Sequence, residues 1–200
     1  MSSTQPVPRD TRGRLVNAMI RVIGSQGMHA ASVRTIAREA ECNEAVLYQH
    51  FPGKAAMQET IFEDIVSGMS EQKRALLNRP GKVEDLISAW IQLTYQYYDE
   101  TPNAFAYALL SFPSVVPQDH PMQQLQSNLF KAALEQSTCK EGFRIRTDEV
   151  ALTQFRAALL GIPRSLHIGR MEGLAADHVK DVSRVCQAIL IEPIPKESEL

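Results

Sequence analysis

Apolar residues recur along this chain at the three- and four-residue spacing of helices that bury one face. The first such stripe comprises Leu15, Ala18, Met19, Val22 and Ile23, and Gly27 follows it as an expected left-handed end of the helix. Comparable stripes cover residues 32–40, 43–51, 54–77, 83–101, 103–112, 121–139, 148–173 and 177–191. No segment predicts a strand, and no repeat is visible. The pattern predicts an all-α protein with about nine helices.

The stretch 32–57 has the pattern of two short helices joined by a tight turn. Ser32 is the expected N-cap of the first helix, and Asn43 is the expected N-cap of the second. Pro52–Gly53 ends the second helix. The inward positions are Val33, Ile36, Ala37 and Ala40 in the first helix, and Val46, Leu47 and Phe51 in the second. Such a pair forms a helix-turn-helix, whose second helix is shaped to enter a major groove.

The string IAREA-x-x-N-x-x-x-LYQHFPGK in this stretch resembles the DNA-binding segment of the TetR family of bacterial transcriptional regulators. The residues in register with the family pattern are Ile36, Ala37, Ala40, Leu47, Tyr48, Phe51 and Lys54. The resemblance covers roughly residues 10–60, and beyond Met57 it lies only in length and helical character. It implies a DNA-binding regulator, commonly a repressor, that binds a palindromic operator as a homodimer. A small, largely apolar or aromatic ligand bound in the C-terminal domain would release it.

The resemblance also assigns DNA-binding positions. Asn43, Glu44 and Ala45 would lie at the groove-entering end of the second helix, where the helix dipole favours phosphate. Gln49 could pair with an adenine, a contact worth about 1 to 3 kcal/mol of discrimination. The full set is Ser32, Val33, Arg34, Cys42, Asn43, Glu44, Ala45, Tyr48, Gln49, His50 and Lys54, in which Tyr48, His50 and Lys54 match phosphate contacts.

Three positions depart from the family pattern, since Glu41 and Ala45 replace glycine and Glu44 stands where lysine is frequent. A left-handed backbone at Glu41 would be strained, because the residue is not glycine. Glu44 removes one attraction to phosphate but could accept a hydrogen bond from a cytosine amino group. Two assigned positions have simpler interpretations: Cys42 as a small buried residue and His50 as a surface histidine.

The middle of the chain carries most of the aromatic residues, namely Trp90, Tyr95, Tyr97, Tyr98, Phe105, Tyr107 and Phe112. The resemblance implies that they enclose a ligand site, and an apolar cavity with a few polar groups is typical of small-molecule pockets. The predicted ligand-binding residues are Trp90, Tyr97, Phe105, Leu129, Phe155 and Arg156. The alternative is a packed core.

A homodimer is expected because a single helix-turn-helix reads only a few base pairs, and useful specificity needs two half-sites about 34 Å apart or a multiple of that spacing. The last two long helices are the predicted interface, both by resemblance and because their apolar stripes are long. The candidate interface residues are Leu159, Ile162, Leu166, Val182, Val185 and Ile189. The alternative is that these stripes belong to the core of a monomer.

Charge is distributed unevenly along the chain, whose net charge is -2. Up to Ala56 there are seven basic and four acidic residues, a balance of +3, so the remainder carries -5. A basic end on an acidic body suits a protein that touches phosphate with one end only. The predicted domains are therefore 1–56, an N-terminal tail with the helix-turn-helix, and 57–200, a helical ligand-binding and dimerisation domain.

The remaining residue patterns favour a reducing, cytoplasmic location and no catalytic function. Three widely spaced cysteines fit neither a disulfide framework nor a zinc site, and no apolar run predicts a signal peptide or a membrane span. His120, His167 and His178 assemble into no catalytic or metal-binding pattern, so no catalytic residue, metal or cofactor is predicted. Two alternatives to a DNA-binding regulator are a helical enzyme and a small-molecule-binding or protein-interaction module.

Overall fold

The computed structural model describes residues 10–77, 81–111 and 115–195. The predicted N-terminal tail (1–8) and Phe112 lie outside these residues. Within them the chain forms nine α-helices, which confirms the all-α prediction. Their bounds are α1 Thr11–Gln26, α2 Val33–Glu39, α3 Glu44–His50, α4 Lys54–Leu77, α5 Val83–Glu100, α6 Pro102–Phe105, α7 Leu125–Glu135, α8 Glu149–His167 and α9 Val179–Leu190.

The first three helices, with residues up to 56, form the head of the molecule. Each of them begins at a side chain that accepts a backbone N–H. The N–H of Gly13 donates to Asp10 (2.9 Å), and that of Thr35 donates to Ser32 (3.0 Å). The cap of α3 is Asn43, whose Oδ1 accepts the N–H of Val46 at 3.1 Å. Both caps predicted for the helix-turn-helix are therefore confirmed.

The core of the head contains the inward residues that the apolar spacing predicts. Leu15, Met19, Ile36 and Leu47 are completely buried, because α1 packs against both α2 and α3. The long helix α4 begins at Lys54, as predicted, and continues from the head into the rest of the chain. The hydrophobic core is likewise contiguous from Leu15 through to α9. The domain boundary at residue 56 stays a prediction.

The body, residues 57–195, is built around α5. This helix packs against α4, α8 and α9, while α7 lies on α4. Between α6 and α7, residues Ala106–Leu110 form a π-helical turn and Pro121–Gln123 form a 3-10 turn. A second 3-10 turn, Ala175–His178, leads into α9. The body thus surrounds one central helix with helices from both halves of the chain.

Two local predictions in the body were wrong. Residues Phe143–Ile145 (β1) and Ile191–Pro193 (β2) pair as a short antiparallel ladder, although no strand was predicted. The helix expected to reach Gly173 ends at His167. Helix α8 is continuous through the buried Pro163, although this proline removes one backbone hydrogen bond of the helix.

None of the helices in the described part of the chain combines the length and the apolar character needed to cross a membrane.

Candidate DNA-binding surface and ligand pocket

Helix α3 presents the predicted DNA-reading residues on an exposed face. Leu47 is completely buried and fixes the orientation of the helix, whereas Tyr48 is 57% exposed. Gln49 and His50 are exposed beside Tyr48, and so are Asn43, Glu44 and Ala45 at the start of the helix. An aromatic side chain left this exposed by the fold is free to contact a partner.

Two of the predicted DNA-binding residues are partly buried. Val33 and Cys42 are half-buried and pack against the hydrophobic core, so the packing favours the simpler interpretation of Cys42 as a small apolar residue. Ser32 and Arg34 are exposed at the start of α2. The Ser32 hydroxyl is also bonded within its own helix, to the hydroxyl of Thr35 at 2.8 Å. A role of these four residues in DNA binding stays a prediction.

Glu41, in the turn between α2 and α3, has a left-handed backbone conformation although it is not glycine. Glu41 has a φ of 54°. The N–H of Cys42 donates to the carbonyl of Ala37 (2.9 Å), and the N–H of Glu41 donates to that of Arg38 (3.1 Å). These two bonds are the Schellman arrangement that ends many helices. Glu41 therefore carries the backbone strain that the sequence predicted, while the hydrogen bonds of the turn remain intact.

Lys54, the first residue of α4, connects α4 to the segment just before α2. Its Nζ donates a 2.8 Å hydrogen bond to the carbonyl of Ala31, just before α2. An ammonium group has three donors, so this bond leaves capacity for a phosphate. Nearby, the guanidinium of Arg12 lies 5.1 Å from the centre of the Phe51 ring, a cation–π contact between α1 and the end of α3.

A cavity of about 210 Å³ lies in the body, between α4, α5, α7, α8 and the π-helical turn. Three of the predicted ligand-binding residues, Trp90, Phe155 and Arg156, line it. The other residues that line it are Phe62, Val66, Lys73, Thr94, Ala108, Leu109, Met122, Gln123, Gln126, Ser127, Phe130, Leu152, Leu159 and Leu160. A pocket near the aromatic residues of the middle of the chain is what the family resemblance implies.

The other three predicted ligand-binding residues, Tyr97, Phe105 and Leu129, do not line this cavity, and their role in ligand binding stays a prediction that the packing does not support. Phe105 is completely buried and packs edge-on against Tyr98, with ring centres 5.3 Å apart. Tyr97 lies about two helical turns beyond Trp90 on α5, past the end of the cavity. Leu129 is half-buried and packs against the core, while its neighbour Phe130 faces the cavity. Aromatic content alone could not separate core from lining.

The sequence interpretation missed the polar groups of the cavity, above all Lys73. This residue is only 3% exposed, and its Nζ donates to Oε1 of Gln126 at 2.8 Å. Nε2 of Gln126 in turn donates to the Ser70 hydroxyl at 2.7 Å. The Lys73 ammonium also lies 4.5 Å from the centre of the Trp90 ring. Burial lowers the pKa of Lys73 to about 7. Its position on the apolar stripe of α4, four residues after Met69, is a pattern that could have identified it.

The predicted dimer residues separate into buried and accessible side chains. Leu159 and Val182 are 7% and 8% exposed, and Leu159 lines the cavity, so the packing of these two favours the alternative of monomer core. Val185 is 53% exposed on α9. The half-buried residues of the set are Ile162, Leu166 and Ile189.

The π-helical turn Ala106–Leu110 connects the cavity to the head. Ala108 and Leu109 line the cavity, and the adjacent Tyr107 is completely buried. The Tyr107 hydroxyl donates to the carbonyl of Gln58 in the first turns of α4 (2.8 Å) and contacts the sulfur of Met19 in α1 (3.8 Å). The residue that directly precedes the cavity wall in sequence therefore contacts both α1 and the start of α4.

A second cluster of ionisable groups joins α4 to the loop before α7. Nε2 of His120 lies 3.4 Å from a Glu59 carboxylate oxygen and 3.6 Å from one of Glu63. The other ring nitrogen, Nδ1, accepts the N–H of Met122 at 3.3 Å, which assigns the proton to Nε2. The cluster therefore brings His120 of the loop within ion-pair distance of two carboxylates of α4.

Comparisons with known proteins agree with this geometry. Residues 15–61 match the family model described as bacterial regulatory proteins, tetR family. The HTH-type transcriptional regulator UidR of Escherichia coli (strain K12) is 24% identical over 106 residues, which are 50% of this chain and 51% of that protein. This chain thus spans about half the length of these curated relatives.

Solved structures match over most of the chain. A putative tetR family transcription regulator from Shewanella sp. PV-4 has a TM-score of 0.68 at 19% identity, over 92% of this chain and 100% of that one. The regulator FadR from Bacillus subtilis, in complex with stearoyl-CoA, has a TM-score of 0.60 at 14% identity, over 88% and 97%. Residues 15–61 are thus similar to the DNA-binding segment of the tetR family of bacterial regulatory proteins, and the chain as a whole shares the all-α fold of solved tetR family regulators.

Proposed function

We propose that this protein is a transcriptional repressor that binds a palindromic DNA operator as a homodimer and is released when a small, largely apolar or aromatic ligand enters the cavity of the body. The observation that carries the proposal is the exposed face of α3, where Tyr48, Gln49 and His50 are all exposed while Leu47 anchors the helix. A short, firmly packed helix with an exposed polar face is suited to lie in a major groove.

The chemistry of α3 supports sequence-specific DNA binding. Gln49 offers both a donor and an acceptor, the pair that adenine presents in the major groove. Tyr48 and His50 flank it and can donate to phosphate oxygens. The net charge of +3 up to Ala56 attracts the DNA backbone to this end of the molecule.

Dimerisation would supply the second half-site. The accessible apolar residues of α8 and α9, namely Ile162, Leu166, Val185 and Ile189, are the surface proposed to pair with a second copy. A two-fold interface of this kind brings the same patch of each subunit together, so the two heads are related by the symmetry of a palindrome.

Release of DNA would follow from the link between cavity and head. A ligand that displaces Ala108 or Leu109 moves the adjoining Tyr107, which is bonded to α4 and in contact with α1. Because α4 begins at the helix-turn-helix, a shift of its first turns changes the spacing of two heads in a dimer. The ligand acts by binding more tightly to the state with low affinity for DNA.

Selection of bound duplexes from a random pool tests the DNA-binding part of the proposal. We expect an enriched palindrome, and we expect Gln49→Ala to lose the base preference at one position of each half-site. Asn128→Ala, an exposed residue of α7, serves as a matched control that keeps the wild-type preference. Enrichment of no sequence, or binding that does not weaken with salt, would contradict the proposal.

The variant Tyr107→Phe tests the proposed link. Removing one buried hydroxyl keeps the ring in place but breaks its bond to Gln58, so the selected operator and the ligand should each still bind. The factor by which saturating ligand weakens operator binding should fall several-fold, as measured by fluorescence anisotropy. If saturating ligand weakens operator binding by the same factor in Tyr107→Phe as in wild type, the cavity and the head are coupled through other contacts.

A further inference from the structure

The lining of the cavity in the body has an unusual charge. It contains two basic side chains, Lys73 and Arg156, and no acidic side chain among the described residues that form its wall. Arg156 is exposed and hydrogen-bonds to the hydroxyls of Thr153 (3.1 Å) and Ser127 (3.4 Å). Neither basic residue has a carboxylate within ion-pair distance in the described part of the chain. The pocket therefore carries positive charge that its own wall leaves uncompensated.

Lys73 is the buried member of this pair. Its ammonium has three donors, of which one is used by Oε1 of Gln126. The Trp90 ring below it supplies a second, weaker interaction. A buried ammonium is costly unless it is paired, and the group faces a cavity in which a partner could be placed. An anionic group of a ligand would fill that place.

Much of the remaining lining is aromatic and apolar. The rings of Phe130 and Phe155 are stacked, 4.1 Å apart and inclined by 10°, and Trp90 lies 4.8 Å from Phe130. Aromatic faces alone would also suit an organic cation. Two basic groups in the same lining repel a cation, so the charge of the wall selects against that class of ligand.

We propose, building on the function proposed above, that the cavity binds a small organic monocarboxylate, with the carboxylate on Lys73 and the apolar body of the ligand against Trp90, Phe130 and Phe155. An apolar protein cavity of about 150 Å³ accommodates benzene. The cavity of about 210 Å³ therefore has room for a single ring with its carboxylate. A long acyl chain on a coenzyme would not fit it without rearrangement.

The proposal includes a pH dependence of binding. Because burial lowers the pKa of Lys73 to about 7, a carboxylate finds a charged partner below this pH and must recruit a proton above it. The facing residues are Arg156 of α8, which stays charged, and the uncharged Trp90 and Thr94 of α5 with Gln126 of α7. Affinity should thus fall as the pH rises from 7 to 9.

The experiment uses two probes of equal shape, cyclohexanecarboxylate and cyclohexanecarboxamide. Neither absorbs where tryptophan is excited, and Trp90 is the single tryptophan of the chain, so its fluorescence reports binding directly. Probes this small are expected to have dissociation constants near about 1 mM. We expect the carboxylate to bind at least about tenfold more tightly than the carboxamide at pH 6.5, and less so at pH 9.

The variant Lys73→Met tests the residue, with Lys131→Met, an exposed lysine outside the lining, as the matched control. In Lys73→Met the carboxylate should lose its advantage while the carboxamide binds within about threefold of wild type. Three results would overturn the proposal. The first is equal binding of the two probes to wild type, and the second is an advantage of the carboxylate that persists in Lys73→Met. The third is no binding of either probe at about 10 mM. If Lys73→Met does not fold, the wild-type protein still tests the proposal. An advantage of the carboxylate over the carboxamide that does not decrease between pH 6.5 and pH 9 would overturn it.

Failure here is distinguishable from failure of the proposed function. Operator binding is measured on the unliganded wild-type protein with the duplex obtained by selection. Specific operator binding without any preference for the carboxylate would overturn only the ligand class. If the protein prefers the carboxylate but the selection enriches no specific duplex, the proposed DNA-binding function is overturned and the proposed ligand class is still supported.

Discussion

The head and the body of this protein are stabilised in different ways. In the head, α1, α2 and α3 each begin at a side-chain cap, supplied by Asp10, Ser32 and Asn43. In the body, Asp148 caps α8, but α5, α7 and α9 begin without a capping side chain. Their positions depend instead on packing around α5. Side-chain caps therefore fix the start of each of the three helices of the head, whereas most helices of the body are positioned by long-range contacts.

This difference corresponds to the two tasks proposed for the molecule. A helix that reads base edges must be held in one geometry, and a capped helix anchored by a buried residue such as Leu47 meets that need. A ligand site needs unfilled space and a polar group to orient the ligand, and the body provides both at Lys73. The capped helix that carries the exposed polar face lies in the head, and the cavity lies in the body.

The largest expected effect tests how far the head depends on the body. Leu47→Ala should lower the free energy of unfolding by about 2 to 5 kcal/mol, since it empties a completely buried position. Because the hydrophobic core is contiguous, thermal unfolding followed by circular dichroism should remain a single transition. Tyr48→Ala, on the exposed face of the same helix, is the control and should change stability by less than about 0.5 kcal/mol. Two separate transitions in Leu47→Ala would show that head and body fold independently.

The next effect concerns the buried charge of the body. Folding lowers the pKa of Lys73 from 10.5 to about 7, so the wild-type fold bears the full cost of the buried charge below pH 7 and none above pH 10.5. Lys73→Met should therefore be more stable than wild type at pH 6.5, by about 2 to 4 kcal/mol. The difference should shrink as the pH rises through this window, as urea unfolding at several pH values would measure. A variant less stable than wild type at pH 6.5 would mean that Lys73 is a structural residue.

A smaller effect compares the caps directly. Asn43→Ala removes the acceptor for the N–H of Val46 and should cost about 1 kcal/mol. Gln124→Ala, at the corresponding position of α7, removes a side chain that caps nothing and should be neutral. Urea midpoints of the two variants measure the difference. Equal losses would remove the distinction between a locally defined head and a body defined by packing.

The smallest effect concerns the strained turn. Glu41→Gly should raise stability by about 0.5 to 1 kcal/mol, because glycine adopts the left-handed backbone without strain but loses more entropy on folding. Glu44→Gly, in the first turn of α3, should instead lower it by a similar amount. Thermal melts of the pair separate backbone strain from the loss of a negative charge. A stability loss in Glu41→Gly would show that the glutamate side chain itself supports the turn.

The sequence predicted the head more accurately than the body. The caps at Ser32 and Asn43, the start of α4 and the strain at Glu41 were all confirmed, since each depends on residues a few positions apart. In the body, half of the predicted ligand-binding residues lie away from the cavity. An aromatic residue has the same periodicity whether it lines a cavity or packs against a neighbour, as Phe105 shows.

The sequence by itself determined the helical class and the helix-turn-helix with its caps, and its residues 15–61 are similar to the tetR family model. Only the tertiary structure decided which polar groups meet in the cavity and which residues connect it to the head. Lys73 and Gln126 are 53 positions apart, and Tyr107 and Gln58 are 49 apart. Capping and helical periodicity act over about four residues, so they are readable in the sequence. Contacts between distant segments depend on how the helices pack, and no local pattern encodes them.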